Sequence, residues 1–241
     1  MKGPEFYSEG WQDQFHDMRH YAPMARHTFR WALKLAAGLN GVERIADFGC
    51  GTGELLLRIK QLFPQAELQG CDFAEGGCQI AAKRLPHADF RTFDLRQSSQ
   101  PFPQIADLGF CLEVIEHIDD DQQVLGNLSH WCKYLVLTVP AGELDQLAQE
   151  VGHLRHYSAE GLRRSLPKNG WEVVQCREWG FPFAYPWYSR LRNRAGTGVT
   201  MGQYSLQKRL LTHLLYLLFF LNDPFTQGGN KVFVLARSTK L

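Results

Sequence analysis

The sequence has almost no net charge, no closely spaced cysteine pair and no basic, apolar start. Its 26 Lys and Arg residues balance 25 Asp and Glu residues to a formal net charge of +1. Without a strong field to steer the chain toward nucleic acid, we expect no nucleic-acid partner. The six cysteines show no CxxC pair and no zinc-ligand spacing, which favours free thiols in a reducing compartment. Because residues 1–21 have no signal-peptide pattern, we expect a cytoplasmic protein.

The chain instead alternates short apolar runs with amphipathic segments. The apolar runs predict strands over residues 44–48, 67–73, 88–95, 106–114, 134–140, 171–177 and 231–237. Helical periodicity predicts helices over residues 23–39, 53–63, 75–85, 119–131 and 158–169. Strands that alternate with helices form mostly parallel sheets covered on both faces. We therefore predict a Rossmann-like, doubly wound α/β fold.

These segments predict a single domain over residues 1–241. Residues 1–40 form an N-terminal arm and helix, with the arm packed over a site, and residues 41–181 form the Rossmann-like core. Residues 182–229 form a helical and aromatic insertion, and residues 230–241 hold the last strand. A chain of 241 residues can bury a core without a disulfide or a metal.

A glycine-rich turn follows the first predicted strand at once. Asp47 lies near the end of the strand, the turn runs through Gly49, Gly51 and Gly53, and a helix follows. Such a turn presents free main-chain N–H groups and the positive end of a helix dipole to a ligand. A dinucleotide-binding turn needs a small residue where this chain has Glu54, and the Glu54 carboxylate would repel a diphosphate.

Acidic residues follow the second and third predicted strands. Asp72 precedes Phe73 near the end of the second strand, and Asp94 precedes Leu95 after the third. Taken singly, Asp72 could cap a helix and Asp94 could form a turn. Ligands of open α/β sheets bind at the carboxyl ends of the strands, so three such sites in order favour ligand binding, with Asp72 as an acceptor for ribose hydroxyls.

The pattern D-x-G-x-G-x-G at residues 47–53 resembles the first motif of the class I S-adenosylmethionine-dependent methyltransferases. The resemblance implies a seven-stranded sheet whose last strand runs antiparallel, with S-adenosylmethionine as the cofactor. It also implies that Asp94 accepts from the adenine amino group while apolar neighbours enclose the ring. The cofactor-binding residues are then Asp47, Gly49, Gly51, Gly53, Asp72, Phe73, Asp94, Leu95, Leu112 and Glu113.

The candidate catalytic residues follow the fourth predicted strand. Residues 111–119 and 153–158 are similar to motifs of a methyltransferase group that includes ubiquinone-biosynthesis O-methyltransferases and bacterial small-molecule and glycan-cluster enzymes. In that group the segment after the fourth strand lies beside the sulfonium and the acceptor. A histidine can remove the proton of a hydroxyl acceptor near neutral pH. His117 is the first candidate, with His156 and Glu116 as further catalytic residues, and His153 fits a structural role equally well.

The same residues allow a second interpretation. Glu113, Glu116 and His117, with His153 or His156, could coordinate a divalent metal. The E-x-x-E-H pattern is similar to metal-dependent small-RNA 2′-O-methyltransferases and to some quinone O-methyltransferases. Since adjacent Glu116 and His117 can share a site only on a turn, the sequence favours a site without metal.

The segment before the last strand is aromatic, then basic, then apolar. Residues 179–188 hold six aromatic residues, residues 189–194 hold three arginines, and residues 210–221 are apolar nearly all round. The apolar stretch is too short to span a bilayer. It is predicted to be a core helix; the alternatives are a wall of the acceptor pocket and a peripheral membrane contact through residues 208–221. The composition favours an acceptor with an apolar and an anionic part, such as a lipid-linked intermediate.

The sequence thus predicts methyl transfer to oxygen or nitrogen of a small or lipid-linked metabolite. Three alternatives stay open: a metal-dependent RNA 2′-O-methyltransferase, a nicotinamide-dependent oxidoreductase, and a non-catalytic binding module that keeps the fold. The near-neutral charge counts against the first, and Glu54 counts against the second.

Overall fold

A computed structural model describes residues 2–12, 15–195 and 202–241 of the chain. In these residues seven strands form one sheet: β1 (Arg44–Phe48), β2 (Glu67–Asp72), β3 (Asp89–Thr92), β4 (Ala106–Leu112), β5 (Cys132–Pro140), β6 (Trp171–Trp179) and β7 (Lys231–Ser238). Their order is β3-β2-β1-β4-β5-β7-β6. Strands β1 to β5 pair in parallel, and β7 runs antiparallel to both β5 and β6. The predicted seven-stranded α/β fold with an antiparallel last strand is confirmed.

Helices cover both faces of this sheet. They are α1 (Pro4–Gln12), α2 (His16–Tyr21), α3 (Pro23–Ala36), α4 (Glu54–Leu62), α5 (Glu75–Arg84), α6 (Asp121–Trp131), α7 (Gln146–Glu150), α8 (Ala159–Ser165), α9 (Ser189–Ala195) and α10 (Leu206–Leu218). The five helices predicted from periodicity are present as α3, α4, α5, α6 and α8. The N-terminal arm, which shows little periodicity in the sequence, forms α1 and α2. Residues 196–201 of the predicted insertion lie outside the described residues.

The hydrophobic core lies on both faces of the sheet. Alternate residues of β7 belong to opposite layers: Val232 and Val234 join the cluster that includes α6 and α8. Phe233 and Leu235 join the cluster that includes α3 and α4. Because both faces are buried in the middle of the sheet, β4, β5 and β7 consist largely of apolar residues rather than alternating apolar and polar ones.

Partly buried polar contacts join the insertion to α3. Asp223 accepts two hydrogen bonds from the Arg30 guanidinium, at 2.6 and 2.8 Å, and a third from Trp179 Nε1 at 2.9 Å. His27 of α3 is fully buried, and its Nε2 lies 2.9 Å from the carbonyl oxygen of Tyr216. Burial lowers the pKa of His27 to about 4, so the ring stays neutral. A bidentate guanidinium–carboxylate pair is geometrically specific, and it fixes the end of the insertion on α3.

Helix α10 exposes most of its leucines. Leu206, Leu210, Leu214 and Leu217 follow helical spacing, and their exposed fractions are 75%, 59%, 64% and 52%. The prediction of a core helix is therefore wrong, because only one side of α10 packs on the protein. The residue directly after α10, Phe219, is fully buried. Among the described residues, no helix has both the length and the apolar character needed to traverse a bilayer.

We expect Phe219→Ala to lower the free energy of unfolding by about 3–5 kcal/mol, because it removes a fully buried ring. Leu214→Ala, on the exposed face of α10, is the matched control and should change the free energy by less than about 0.5 kcal/mol. Urea titration followed by circular dichroism measures both values. Equal losses in the two variants would contradict this assignment of the buried and exposed faces.

Candidate active site

The turn between β1 and α4 has a backbone that glycine adopts readily. The φ angles are +90° at Gly49, +50° at Gly51 and +73° at Gly53, in the left-handed region that disfavours other residues. A Cβ atom at Gly49 would also collide with the Val114 side chain. The glycines therefore permit the tight turn and leave room for a ligand to approach the main chain.

The expectation of free main-chain N–H groups in this turn is wrong for most of the turn. The N–H groups of Gly49 and Cys50 donate to the carbonyl oxygen of Cys71, at 2.7 and 3.0 Å, and that of Gly53 donates to the Cys50 carbonyl at 2.9 Å. Because β2 lies beside β1, its last residues supply acceptors to the turn. The turn is thus a rigid wall rather than a row of donors.

Asp72 joins this turn to the next helix. Its carboxylate accepts from the N–H of Gly51 at 2.8 Å and from the N–H of Ala74, directly before α5, also at 2.8 Å. Burial raises the pKa of Asp72, and the two main-chain donors act in the opposite direction. Asp72 also lines the main cavity. The helix-cap alternative is wrong, because the N-cap residue of α5 is Ala74 and no side chain caps the helix; Asp72 instead holds the Ala74 N–H and faces the cavity.

Asp94 and its neighbours form the next part of the wall. Asp94, Leu95 and Phe73 line the cavity. Both oxygens of Asp94 lie 3.0 Å from Nε of Arg96, and Oδ2 lies 2.6 Å from Arg96 Nη2. This pairing holds the pKa of Asp94 below its usual value. The main-chain N–H of Arg96 also donates to Asp94 Oδ1 at 3.0 Å, so Arg96 engages both oxygens of Asp94 in a local turn.

Asp47 and Leu112 lie in a narrow crevice next to the main cavity, and Gly49 lines both. Asp47 is 3% exposed. Burial raises the pKa of Asp47 to about 7, although the nearby positive charge of Arg19 lowers it. Gly51 and Gly53 line neither space and act through the shape of the turn.

The main cavity has a volume of about 630 Å³. Its walls are the carboxyl ends of the strands, the N-terminal helices α1 to α3, the loop after β5, and the aromatic start of the insertion. The aromatic and apolar lining includes Tyr7, Phe29 and Tyr185, and cationic groups come from Arg190 and Lys231. The cavity is therefore largely apolar, with both cationic and acidic groups on the side of the insertion and β7.

Glu113 follows β4 with a strained backbone. Its φ angle is +59°, the only positive value for a residue other than glycine in the described part of the chain. Its carboxylate accepts from Thr138 Oγ1 at 2.8 Å and forms an ion pair with Lys231 Nζ. Burial raises the pKa of Glu113, but Lys231 and Thr138 outweigh burial and hold the pKa below its usual value. Glu113 is thus an ionised, fully engaged wall residue.

The predicted catalytic residues lie together beyond Glu113. His117 and His156 line the cavity with His153, whereas Glu116 is fully buried behind them. Burial lowers the pKa of His117 and of His156, and it lowers that of His153 to about 3. Burial raises the pKa of Glu116 well above its usual value, and the Glu113 charge adds to the rise. All three rings are therefore neutral near pH 7, and burial favours the protonated form of Glu116.

Sequence reasoning missed Lys231 and Tyr7. Lys231 reaches Glu113, 118 positions away in sequence, because antiparallel pairing brings the start of β7 to Pro140 at the end of β5. A signal was present, since Lys231 is a charged residue directly before five consecutive apolar residues, 232–236. Tyr7 of α1 lines the cavity, and burial raises its pKa to about 12.

Comparison with known proteins finds a matching domain family and a similar curated protein. A family described as a methyltransferase domain matches residues 46–134. Trans-aconitate 2-methyltransferase of Rhizobium leguminosarum bv. trifolii (strain WSM2304) is 29% identical over 159 residues, which are 65% of this chain and 59% of that relative. The chain thus spans about three fifths of the length of this curated relative.

Two solved structures cover most of the chain at low identity. The N-methyltransferase NodS from Bradyrhizobium japonicum WM9, in complex with S-adenosylhomocysteine, has a TM-score of 0.57 at 14% identity and covers 90% of this chain and 88% of its own. The [4+2]-cyclase SpnF has a TM-score of 0.58 at 19% identity and covers 87% of this chain and 81% of its own. The motif at residues 47–53, the domain matched over residues 46–134 and the common fold agree, and together they identify a methyltransferase domain of the class I S-adenosylmethionine-dependent type within the chain.

Proposed function

We propose that the chain transfers the methyl group of S-adenosylmethionine to oxygen or nitrogen of a small acceptor with an apolar body and an anionic group. The observation that carries this proposal is a single cavity of about 630 Å³ that joins the Gly49 turn and Asp72 to the His117–His156 cluster. The cavity is large enough for a cofactor and an acceptor side by side, since ligand pockets typically measure about 300–1,000 Å³.

The residues around the glycine turn fit this cofactor. Asp72 would accept from the ribose hydroxyls, and Phe73, Asp94 and Leu95 would bind the adenine ring. S-Adenosylmethionine carries no phosphate, so the acidic wall causes no diphosphate repulsion. When bound, it supplies a methyl carbon on a positively charged sulfur; as the new bond to the acceptor forms, the carbon–sulfur bond breaks and its electron pair stays on sulfur as a neutral thioether.

The acceptor side combines aromatic rings with positive charge. Tyr185 and Tyr188 enter the cavity from the insertion, and Arg190 and Lys231 bring cationic groups. Lys231 is paired with Glu113, whereas the exposed Arg190 makes no hydrogen bond or ion pair within the described residues. The curated relative is named for trans-aconitate, which is an anion. We therefore propose an anionic acceptor whose charged group lies at Arg190.

A neutral histidine at the cavity supplies a base where the acceptor needs one. For a hydroxyl or an ammonium acceptor, Nε2 of neutral His117 would take the proton, with His156 as the next candidate. Because burial lowers the pKa of His117, the neutral form persists below pH 6.5. A carboxylate acceptor needs no base, and the cluster would then only orient the acceptor and exclude water.

A second candidate function follows from the neighbour SpnF, a cyclase with the same fold. Fold alone does not determine the reaction. A non-methylating enzyme would bind S-adenosylmethionine without consuming it. Release of S-adenosylhomocysteine in a screen of small carboxylic acids and phenols distinguishes the two functions, because only methyl transfer produces it.

We expect Asp72→Asn to weaken binding of S-adenosylmethionine and S-adenosylhomocysteine by roughly 10- to 100-fold, since a hydrogen bond to a charged group contributes about 1.5–3 kcal/mol. Isothermal titration calorimetry on the folded protein measures both affinities. Asp89→Asn, at a partly exposed carboxylate on β3 outside the cavity, is the matched control and should leave them unchanged. Absence of binding heat in the unmodified protein would refute the cofactor assignment.

For an acceptor found in the screen, we expect Arg190→Gln to raise KM about tenfold or more while kcat and the affinity for S-adenosylmethionine stay unchanged, because the lost charge binds acceptor and transition state alike. Arg164→Gln, on the exposed face of α8, is the control. Steady-state kinetics measure KM and kcat separately for each variant. A fall in kcat at constant KM would place Arg190 in the chemical step and contradict a binding role.

We also propose that the exposed leucines of α10 contact an anionic lipid surface, from which a lipid-linked acceptor would enter. Residues 202–222 contain no acidic residue and include Lys208 and Arg209 at the start of α10. Such a basic, amphipathic helix is typical of interfacial binding. The outer face of α10 is about three turns long, and α10 packs on α3, which lines the cavity.

We expect the protein to float with vesicles that contain phosphatidylserine and to stay unbound with neutral vesicles. The double substitution Leu210→Ser and Leu214→Ser should abolish flotation, whereas Val174→Ser, at an exposed position of β6, should not. A protein that ignores anionic vesicles would refute the membrane contact. So would an oligomer that dissociates in the double variant, because the leucines would then bind a second copy.

A further inference from the structure

One carboxyl group beside the cavity has no partner. Glu116 lies in the 3₁₀ turn Ile115–His117 after β4, and it is 0% exposed. Neither of its side-chain oxygens has a hydrogen-bond partner on another residue. Buried polar groups are nearly always paired, and an unpaired one costs about 1–3 kcal/mol. An unpaired carboxyl group at this depth indicates a ligand that supplies the missing contact.

Two imidazole rings lie next to this carboxyl group. One ligand atom each of Glu116, His117 and His153 lie within 4.8 Å of one another. The two rings meet edge to face, with centroids 4.8 Å apart. In a tetrahedral zinc site with bonds of about 2.0–2.2 Å, ligand atoms lie about 3.4 Å apart. Small side-chain rotations would therefore bring the three ligand atoms around one ion.

Hydrogen bonds at Nδ1 orient both rings. His117 Nδ1 lies 3.1 Å from the carbonyl oxygen of Gly152, which can only accept, so the hydrogen of the neutral ring is on Nδ1 and the lone pair is on Nε2. His153 Nδ1 lies 3.0 Å from His156 Nε2, which leaves Nε2 of His153 for another partner. Metal-binding histidines are oriented in this way by a partner at the other ring nitrogen.

Main-chain contacts hold the two ligand segments together. The N–H of Leu154 donates to the carbonyl oxygen of Glu116 at 2.8 Å. The Arg155 guanidinium donates to the carbonyl oxygens of Ile118 and Asp119, at 2.6 and 2.8 Å. The loop that carries His153 is thereby attached to the turn that carries Glu116 and His117, so the cluster does not depend on side-chain contacts alone.

We infer that Glu116, His117 and His153 bind one divalent transition-metal ion of the zinc type. Two imidazoles and one carboxylate suit zinc and its neighbours, whereas magnesium and calcium prefer oxygen ligands. Glu113, which the sequence pattern also offered, is engaged by Lys231 and Thr138. The sequence favoured a site without metal because adjacent Glu116 and His117 can share a site only on a turn, and the structure places both residues in the 3₁₀ turn Ile115–His117.

Such an ion would keep a coordination position toward the cavity, because His117 and His153 line it. The chemical class that fits this position is an anionic oxygen, from a carboxylate, phenolate or hydroxamate. That the oxygen belongs to the acceptor rests on the proposed function, whereas the metal site itself does not. With His117 as a ligand, the acceptor oxygen would be bound as an anion and would need no histidine base.

Metal binding to the full chain tests the inference without any measurement of activity. The protein is depleted of metal with a chelator and titrated with Zn²⁺ against a chromophoric competitor, and Co²⁺ is added separately to record visible absorption. We expect one ion per chain. Glu116→Gln and His153→Asn should each weaken Zn²⁺ binding at least tenfold and change the Co²⁺ spectrum. His87→Asn, at an exposed position after α5, is the control and should change neither.

Circular dichroism and thermal unfolding establish whether each variant is folded. If one of the two variants does not fold, the Zn²⁺ affinity of the other variant tests the metal site. No Zn²⁺ binding by the unmodified protein, or unchanged affinity in both folded variants, would overturn the metal site. Calorimetry with S-adenosylhomocysteine on the same preparations separates the two proposals. Loss of cofactor heat with intact Zn²⁺ binding would count against the proposed function alone, and the reverse result would count against the metal site alone.

Discussion

The cofactor half of the cavity depends on the end of β2. Asp72 connects the glycine turn to the start of α5 through the N–H groups of Gly51 and Ala74, and the adjacent Cys71 carbonyl accepts from two further N–H groups of the turn. These contacts use the donors of the turn inside the protein, so the turn is rigid before any ligand binds. Asp72 retains acceptor positions on the cavity side, and preorganised acceptors cost little reorganisation when a ligand binds.

The opposite half depends on contacts between two loops at the carboxyl edge of the sheet. The loop after β5 is attached to the turn after β4 through Leu154 and Arg155, and Tyr157 donates to Asp121 at the start of α6, at 2.8 Å. The two halves therefore lie on different loops, but each is fixed to strand ends. This arrangement gives the precision that a site for group transfer requires, because small displacements of reacting groups slow the reaction strongly.

The sequence predicted best what is local. The first strand was predicted with its observed bounds, Arg44–Phe48, because a buried parallel strand is a short apolar run next to a glycine turn. The pairs Glu113–Lys231 and Arg30–Asp223 could not be predicted, since they join residues 118 and 193 positions apart. The exposed face of α10 was missed for another reason: an apolar helix has the same periodicity whether its second face meets the core, a lipid surface or another copy.

The unusual backbone conformation of Glu113 and the buried carboxyl group of Glu116 both lie beside the cavity. A positive φ angle at a residue other than glycine costs about 1–3 kcal/mol and persists only where the surroundings hold it; at Glu113, Lys231 and Thr138 do so. Lys231 and Thr138 bind the two oxygens of Glu113. The carboxyl group of the neighbouring Glu116 contacts neither Lys231 nor Thr138 through a hydrogen bond, and it stays without a partner on another residue in the interior. Packing alone would favour an apolar side chain at position 116. A buried carboxyl group that weakens the fold, next to two oriented imidazoles, is therefore better explained by a ligand than by stability.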